Sequence, residues 1–260
     1  MLILGRSKEV AGIAPWLLFD HDAIIAYSPG GLEGTDRDLP PLLTLECALQ
    51  CDLSRVFLLY NISMPKFDDM KKIRDELFVF KESPLFEYRT SNKYFPVVGE
   101  GSHDATIMFV GEAPGKNEAQ TGKPFCGAAG KFLTYLIESI GLSRDKVYIT
   151  NVVKDRPPEN RDPSPDEIAL YGPFLDRQIE IIQPKVIATL GRYSMAYTMK
   201  KFGLDFELEP ISKIHGKIFE AKASYGPLSI VTLYHPAAAL YNGSMRDVLK
   251  KDFEVLKKFV

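Results

Sequence analysis

Four short runs rich in β-branched and aliphatic residues, ATIMFVG, VYITNVV, KVIATLG and SIVTLYH, recur from the middle of the chain onward, each followed by room for a helix. Parallel neighbours need a crossover connection, and the crossovers bury both faces of the sheet, so this alternation constrains the fold more than any other feature. The fold class it implies is α/β: a three-layer α/β/α domain with a central four-stranded parallel sheet, plus an N-terminal α/β extension. Helices are predicted over residues 128–139, 165–182, 192–202 and about 245–259. SPDE at 164–167 has the form of a capping box, and Gly141 suits the end of the first of these helices.

The segments before residue 76 are less regular. AIIAYSPGG and RVFLLYNIS have the composition of strands, PPLLTLECALQ and PKFDDMKKIRDELFVF that of helices. The domain division expected is therefore an extension over residues 1–75 and a main domain over 76–260. The loop GGLEGTDRD reads as a solvated turn, with a ligand loop as the alternative.

Composition excludes several classes. The chain of 260 residues is 45% hydrophobic and 25% charged and has no apolar run long enough for a membrane span. Its start, MLILGRSKEVAGIAPWLLF, lacks the basic region, continuous apolar segment and cleavage site of a secretory signal, so a cytoplasmic protein is expected. A net charge of −2 provides no global attraction to a polyanion, and any nucleic-acid contact must come from a local patch. Three cysteines, Cys47, Cys51 and Cys126, are too few for a disulfide scaffold or a four-thiolate metal site; Cys47 and Cys51 would share a helix face and read as buried packing, with metal binding as the alternative.

In an open parallel sheet, ligands bind beyond the carboxyl ends of the strands. Four polar clusters emerge there: GEAPG after the first strand, Asn151 after VYIT, LGRYS after KVIA, and HPAAAL after SIVTLY. Three of the segments involved, GEAPG…GKPFCGAAGKFL, ITNVVKDRPPENRDP and YHPAAAL, resemble the signature motifs of the uracil-DNA glycosylase superfamily, closest to its family IV, over roughly Ser83 to Val260.

The resemblance implies a base-flipping enzyme and assigns its parts. Phe125 would stack on the extruded base. Asn151 would pair with uracil N3–H and O4, a pattern that cytosine reverses. His235 would donate to O2 and stabilise the departing base, and Glu112, with Ala113 beside it, would border the sugar and orient water. Glu118 would line the C5 side of uracil and crowd out thymine's methyl. Leu240 and Tyr241 resemble the wedge that fills the gap left by the flipped nucleotide. Arg192, Ser194, Lys213 and Lys217 are candidate phosphate contacts, with a solvated basic face as the alternative for the two lysines.

Two departures from the family pattern stand out. Many members carry Asp directly after the position of Glu118, where this chain has Ala119. Family IV also implies a four-cysteine iron–sulfur cluster, but the aligned positions here are Phe80, Ser83, Asp155 and Tyr171, none of them a thiol. No cofactor and no catalytic metal are therefore expected. The function expected is a monofunctional, monomeric DNA repair glycosylase that releases uracil from single- or double-stranded DNA and leaves an abasic site. The alternatives are a catalytically weak or inactive DNA-binding protein of the same fold, and a glycosylase for hypoxanthine or xanthine.

Overall fold

The computed structural model describes residues 17–20, 23–26 and 53–260, with side chains from residue 66 onward. The chain divides into two compact units, Met1–Ile62 and Ser63–Val260. In the first, β1 (Leu17–Asp20) and β2 (Ala23–Ala26) form an antiparallel hairpin. The expected helix PPLLTLECALQ, the loop GGLEGTDRD, Cys47 and Cys51 lie outside the described residues.

Arg55–Ser63, expected as a strand, is helical: it lies inside α1 (Leu53–Val79). Its Val, Phe, Leu and Tyr content matches a strand by composition alone, but the run is the first part of a 27-residue helix that continues through Pro65 into KKIRDELFV.

The main sheet has six strands in the order β3-β5-β4-β6-β8-β7. Its centre is β5 (Tyr148–Asn151), β4 (Ile107–Gly111), β6 (Val186–Leu190) and β8 (Gly226–Leu233), all mutually parallel. The sequence reading lacks the two edges, β3 (Glu100–Gly101) and β7 (Ile218–Ala223), which pair antiparallel to β5 and β8. β3 spans two residues, too few for a periodic signal, and β7 joins β8 by a tight hairpin rather than a helical crossover.

Side chains alternate across the central strands. Met108 and Val110 of β4 face one layer with Ile73 and Leu77 of α1 and Leu175 and Ile179 of α5 (Pro165–Ile182). Ile107 and Phe109 face the other, with Leu133 and Ile137 of α4 (Ala128–Ser139) and Leu249 and Phe253 of α9 (Met245–Phe253). Between them in chain order lie α2 (Phe86–Ser91), α3 (Lys116–Thr121), α6 (Arg192–Lys201), α7 (Ile211–Ile214) and α8 (Ala238–Tyr241). The capping box forms as expected, with the Ser164 hydroxyl accepting from the Glu167 amide and the Glu167 carboxylate accepting from that of Ser164. Among the described residues no helix is long and apolar enough to cross a membrane.

Phe80, Ser83, Asp155 and Tyr171 meet in one buried place. The Tyr171 hydroxyl donates to Asp155 Oδ2 at 2.5 Å and lies 2.6 Å from the Ser83 hydroxyl, while the Phe80 and Tyr171 rings pack edge to face at 5.6 Å. Arg89 Nη1 reaches both Asp155 oxygens, at 2.9 and 3.1 Å, and the same guanidinium caps the carbonyls of Leu77 and Phe78 at 2.9 Å. The network thereby ties the end of α1, α2, the segment after β5 and α5 to one another. Burial raises the Asp155 carboxyl, and Tyr171 and Arg89 pull it back down. With Arg89 4% and Asp155 0% exposed, removing one charge strands the other away from water. Asp155→Asn is expected to cost about 3–5 kcal/mol, seen as a fall of roughly 6–20 °C in the thermal midpoint; a midpoint within 2 °C of the parent would show that the pair holds nothing together.

Candidate active site

Strands β4, β5, β6 and β8 end on one edge of the sheet, and the segments that leave β4, β5 and β8 line a cleft of about 560 Å³. At its floor, parallel register sets Gly111 directly beside Asn151. A Cβ on Gly111 would lie 2.3 Å from Asn151 Oδ1 and 2.7 Å from the tip of the Phe125 ring. Only glycine lets the amide and the aromatic ring meet there.

Phe125 is held in a backbone conformation that L-residues avoid, with φ of 48°. Three contacts impose it. Glu118 Oε1 accepts from the amides of Cys126 and Gly127, both at 2.9 Å, and so caps the start of α4. Arg144 donates to the Pro124 carbonyl at 2.7 Å. Gly130 has no side chain, and a Cβ there would collide with the Phe125 carbonyl. The ring is 7% exposed and stacks beside that of His235, with centroids 5.5 Å apart.

Asn151 closes β5. Its Oδ1 is buried and has no hydrogen bond among the described residues. An orphaned buried acceptor costs about 1–3 kcal/mol, so it marks a place where a ligand's N–H fits. The main-chain carbonyl of Asn151 is held by Lys154, whose fully buried Nζ also bonds Thr150 Oγ1 and Gln178 Oε1, at 2.6–2.7 Å throughout. Burial pushes the Lys154 ammonium well down, while its three acceptors favour the charged form.

His235 stands two residues beyond β8. Burial lowers its pKa to about 4, opposed by the nearby Glu118 carboxylate, so the ring is neutral at pH 7. Its Nδ1 accepts from the Ala237 amide at 3.2 Å, which leaves the single ring proton on Nε2. Glu112 follows Gly111 directly. Burial raises its carboxyl to about 7, the Asp162 charge adds to that, and Arg192 opposes it. The cleft thus holds a stacking surface, a free acceptor, a neutral N–H donor and a carboxyl poised to change charge near neutrality.

Residues 98–259 match the family model described as the uracil DNA glycosylase superfamily. The chain belongs to that superfamily. It is 50% identical over 192 residues to a type-4 uracil-DNA glycosylase of Sulfurisphaera tokodaii, covering 74% of this chain and 84% of the relative. Identity is 46% to the type-4 enzyme of Archaeoglobus fulgidus, over 64% of this chain and 82% of the relative, and 42% to that of Thermotoga maritima, over 65% and 85%.

Within this superfamily fold, Glu112, Ala113, Glu118, Phe125, Asn151, His235, Leu240 and Tyr241 all line the cleft. Leu240 and Tyr241 stand at its rim, 44% and 91% exposed. Ala119, the departure noted in the sequence, is buried with no exposure and does not line the cleft. The expected phosphate contacts do not gather. Arg192 pairs with Asp162 at 2.5 Å, Lys213 pairs with Glu209 at 2.8 Å, and Ser194 is buried with its hydroxyl turned to the Gly191 carbonyl; Lys217 is exposed, and none of the four lines the cleft.

Sequence reasoning passed over Pro157, Asn160 and Arg161, which form one wall of the cleft. They belong to the RPPENRD run, where two prolines and a cluster of charges signal a shaped loop. Glu159 and Asn160 both adopt left-handed backbone angles, and Arg161 clamps the loop to Glu167. Asp162 at its end is the neighbour that lifts Glu112. By ¹³C NMR, the Glu112 carboxyl is expected to titrate near pH 7, and Asp162→Asn to move that midpoint down, since a like charge disfavours ionisation. A midpoint near 4.5 in the parent protein would contradict the burial that the fold assigns to it.

Proposed function

We propose that the protein hydrolyses the N-glycosidic bond of deoxyuridine in DNA, releasing uracil and leaving an abasic site. One observation carries this reading: the orphaned Oδ1 of Asn151 and the Nε2 proton of His235 share one cleft whose wall is the Phe125 ring. A flipped base held there stacks on Phe125. Uracil offers an N3–H to Asn151 Oδ1 and O4 to its amide, whereas cytosine presents an acceptor at N3 and a donor at C4. Leu240 and Tyr241 fill the gap in the stack. The close relation to type-4 uracil-DNA glycosylases supports the same reading.

In the reaction, the C1′–N1 bond breaks with its electron pair departing on the base. His235 Nε2–H hydrogen-bonds the developing charge on O2, as an oxyanion donor does, and it does so as a neutral ring. The Glu112 carboxylate faces the cationic sugar, orients the attacking water and takes its proton as the oxygen bonds to C1′. Glu118 acts here mainly by fixing Phe125, and by narrowing the cleft on the side where a thymine methyl would lie.

In single-turnover assays on a uracil-containing oligonucleotide, His235→Ala is expected to lower the rate by about 10²–10³ while weakening affinity for an uncleavable analogue far less. The parent rate should rise with pH through about 7, as Glu112 ionises, and Glu112→Gln should remove that rise. Tight binding by the parent protein with no abasic product would instead establish a DNA-binding protein without chemistry.

The reading includes no iron–sulfur cluster. Phe80, Ser83, Asp155 and Tyr171, aligned with the ligand positions of family IV, offer a ring, an alcohol, a carboxylate and a phenol, and a cluster needs thiolates. The three polar groups are already bonded to one another or to Arg89, so they do not fit a metal cluster. Protein purified without air is expected to lack stoichiometric iron and acid-labile sulfide and to melt at the same temperature with or without a strong chelator. A chelator-induced loss of stability would overturn this.

A further inference from the structure

A DNA glycosylase with net charge −2 needs a local cationic surface, and of the residues expected to supply it Arg192 and Lys213 are paired with carboxylates and Ser194 is buried, which leaves Lys217 alone and away from the cleft. A different surface meets the requirement. Helix α4 begins at the cleft, where Ala128 lines the wall, and Phe132 and Tyr135 continue the same helix face at i+4 and i+7, roughly 10 Å outward. Their rings stack at 5.9 Å with an interplanar angle of 16°. From α9, which follows the Leu240–Tyr241 rim, Arg246 lies over Phe132 at 5.7 Å and Lys250 over Tyr135 at 5.2 Å.

We propose that this ridge, Phe132 and Tyr135 capped by Arg246 and Lys250, binds the phosphate backbone of the DNA strand that carries the flipped nucleotide, next to the cleft. The inference rests on the uracil-excision reading and assigns that site its strand contact. Arg246 and Lys250 are exposed and make no salt bridge among the described residues, so their charge is available to a phosphate. Exposed Lys131 and Lys251 adjoin Phe132 and Lys250 in the chain, and the exposed carboxylates of the same segments are Glu138, Asp247 and Glu254, the last paired with Lys257. The aromatic faces hold the two long side chains in place, which lowers the entropy lost when a phosphate is bound.

The test compares the Arg246→Gln/Lys250→Gln double variant with a control of equal charge change, Lys71→Gln/Lys72→Gln, on α1 in the opposite layer. The probe is a single-stranded oligonucleotide bearing an uncleavable deoxyuridine analogue, titrated at several salt concentrations. The ridge variant is expected to bind several-fold to about ten-fold more weakly, with a slope of log affinity against log salt reduced by about one to two. Its thermal midpoint and its single-turnover rate at saturating DNA should match the parent, and the control should bind as the parent does. An unchanged slope and affinity in the ridge variant, or an equal loss in the control, would overturn the proposal. So would a lower saturating rate with binding intact, since that assigns the residues to chemistry rather than docking. Parent protein that binds but releases no uracil would sink the excision reading instead, and the slope comparison would still report on the ridge.

Discussion

The absence of a side chain at Gly111 is the constraint on which the site depends. Parallel pairing of β4 with β5 forces Gly111 and Asn151 side by side, and the loop from β4 must return Phe125 over the same spot. Any Cβ at Gly111 would push the Asn151 amide or the Phe125 ring out of place. The strained backbone at Phe125 follows from this demand: the ring has to reach back to the sheet edge, and Glu118, Arg144 and the bare Gly130 together hold it there. The loop that carries the acid thus also fixes the aromatic surface.

Electrostatics divide the cleft into two halves with opposite tasks. Burial keeps His235 neutral, so its one proton can be given as a hydrogen bond without adding a cation beside a cationic sugar. The same burial, with Asp162 nearby, keeps the Glu112 carboxyl near its point of ionisation. Away from the cleft, the Arg89–Asp155–Tyr171–Ser83 network joins helices and strand by directed hydrogen bonds. A salt-bridged core of this kind is stable only while every member is present, which is why its partners come from four separate segments that fold around one another.

Much of this was legible in the sequence because the signals are local. The capping box at Ser164 and Glu167 announced α5, glycine at 141 marked the end of α4, and the post-strand positions of Glu112, Asn151 and His235 set them on one edge. The Phe80, Ser83, Asp155 and Tyr171 positions also met as their alignment implied. What stayed hidden depends on distant partners. Glu118 reads as a cleft wall until the folded loop brings two amides to its carboxylate, and the Arg192–Asp162 pair joins residues far apart in the chain. The helical fate of Arg55–Ser63 depends on the whole Leu53–Val79 run, which the β-rich composition of its first part does not reveal.

A structure of the protein with uracil soaked into the cleft tests the central claim most directly. The account predicts the base lying parallel to Phe125, its N3–H on Asn151 Oδ1 and its O2 on His235 Nε2, with Glu112 beside the position of the lost sugar. Uracil bound away from Gly111 and Asn151, or a ring oriented with N3 turned from Asn151, would contradict it.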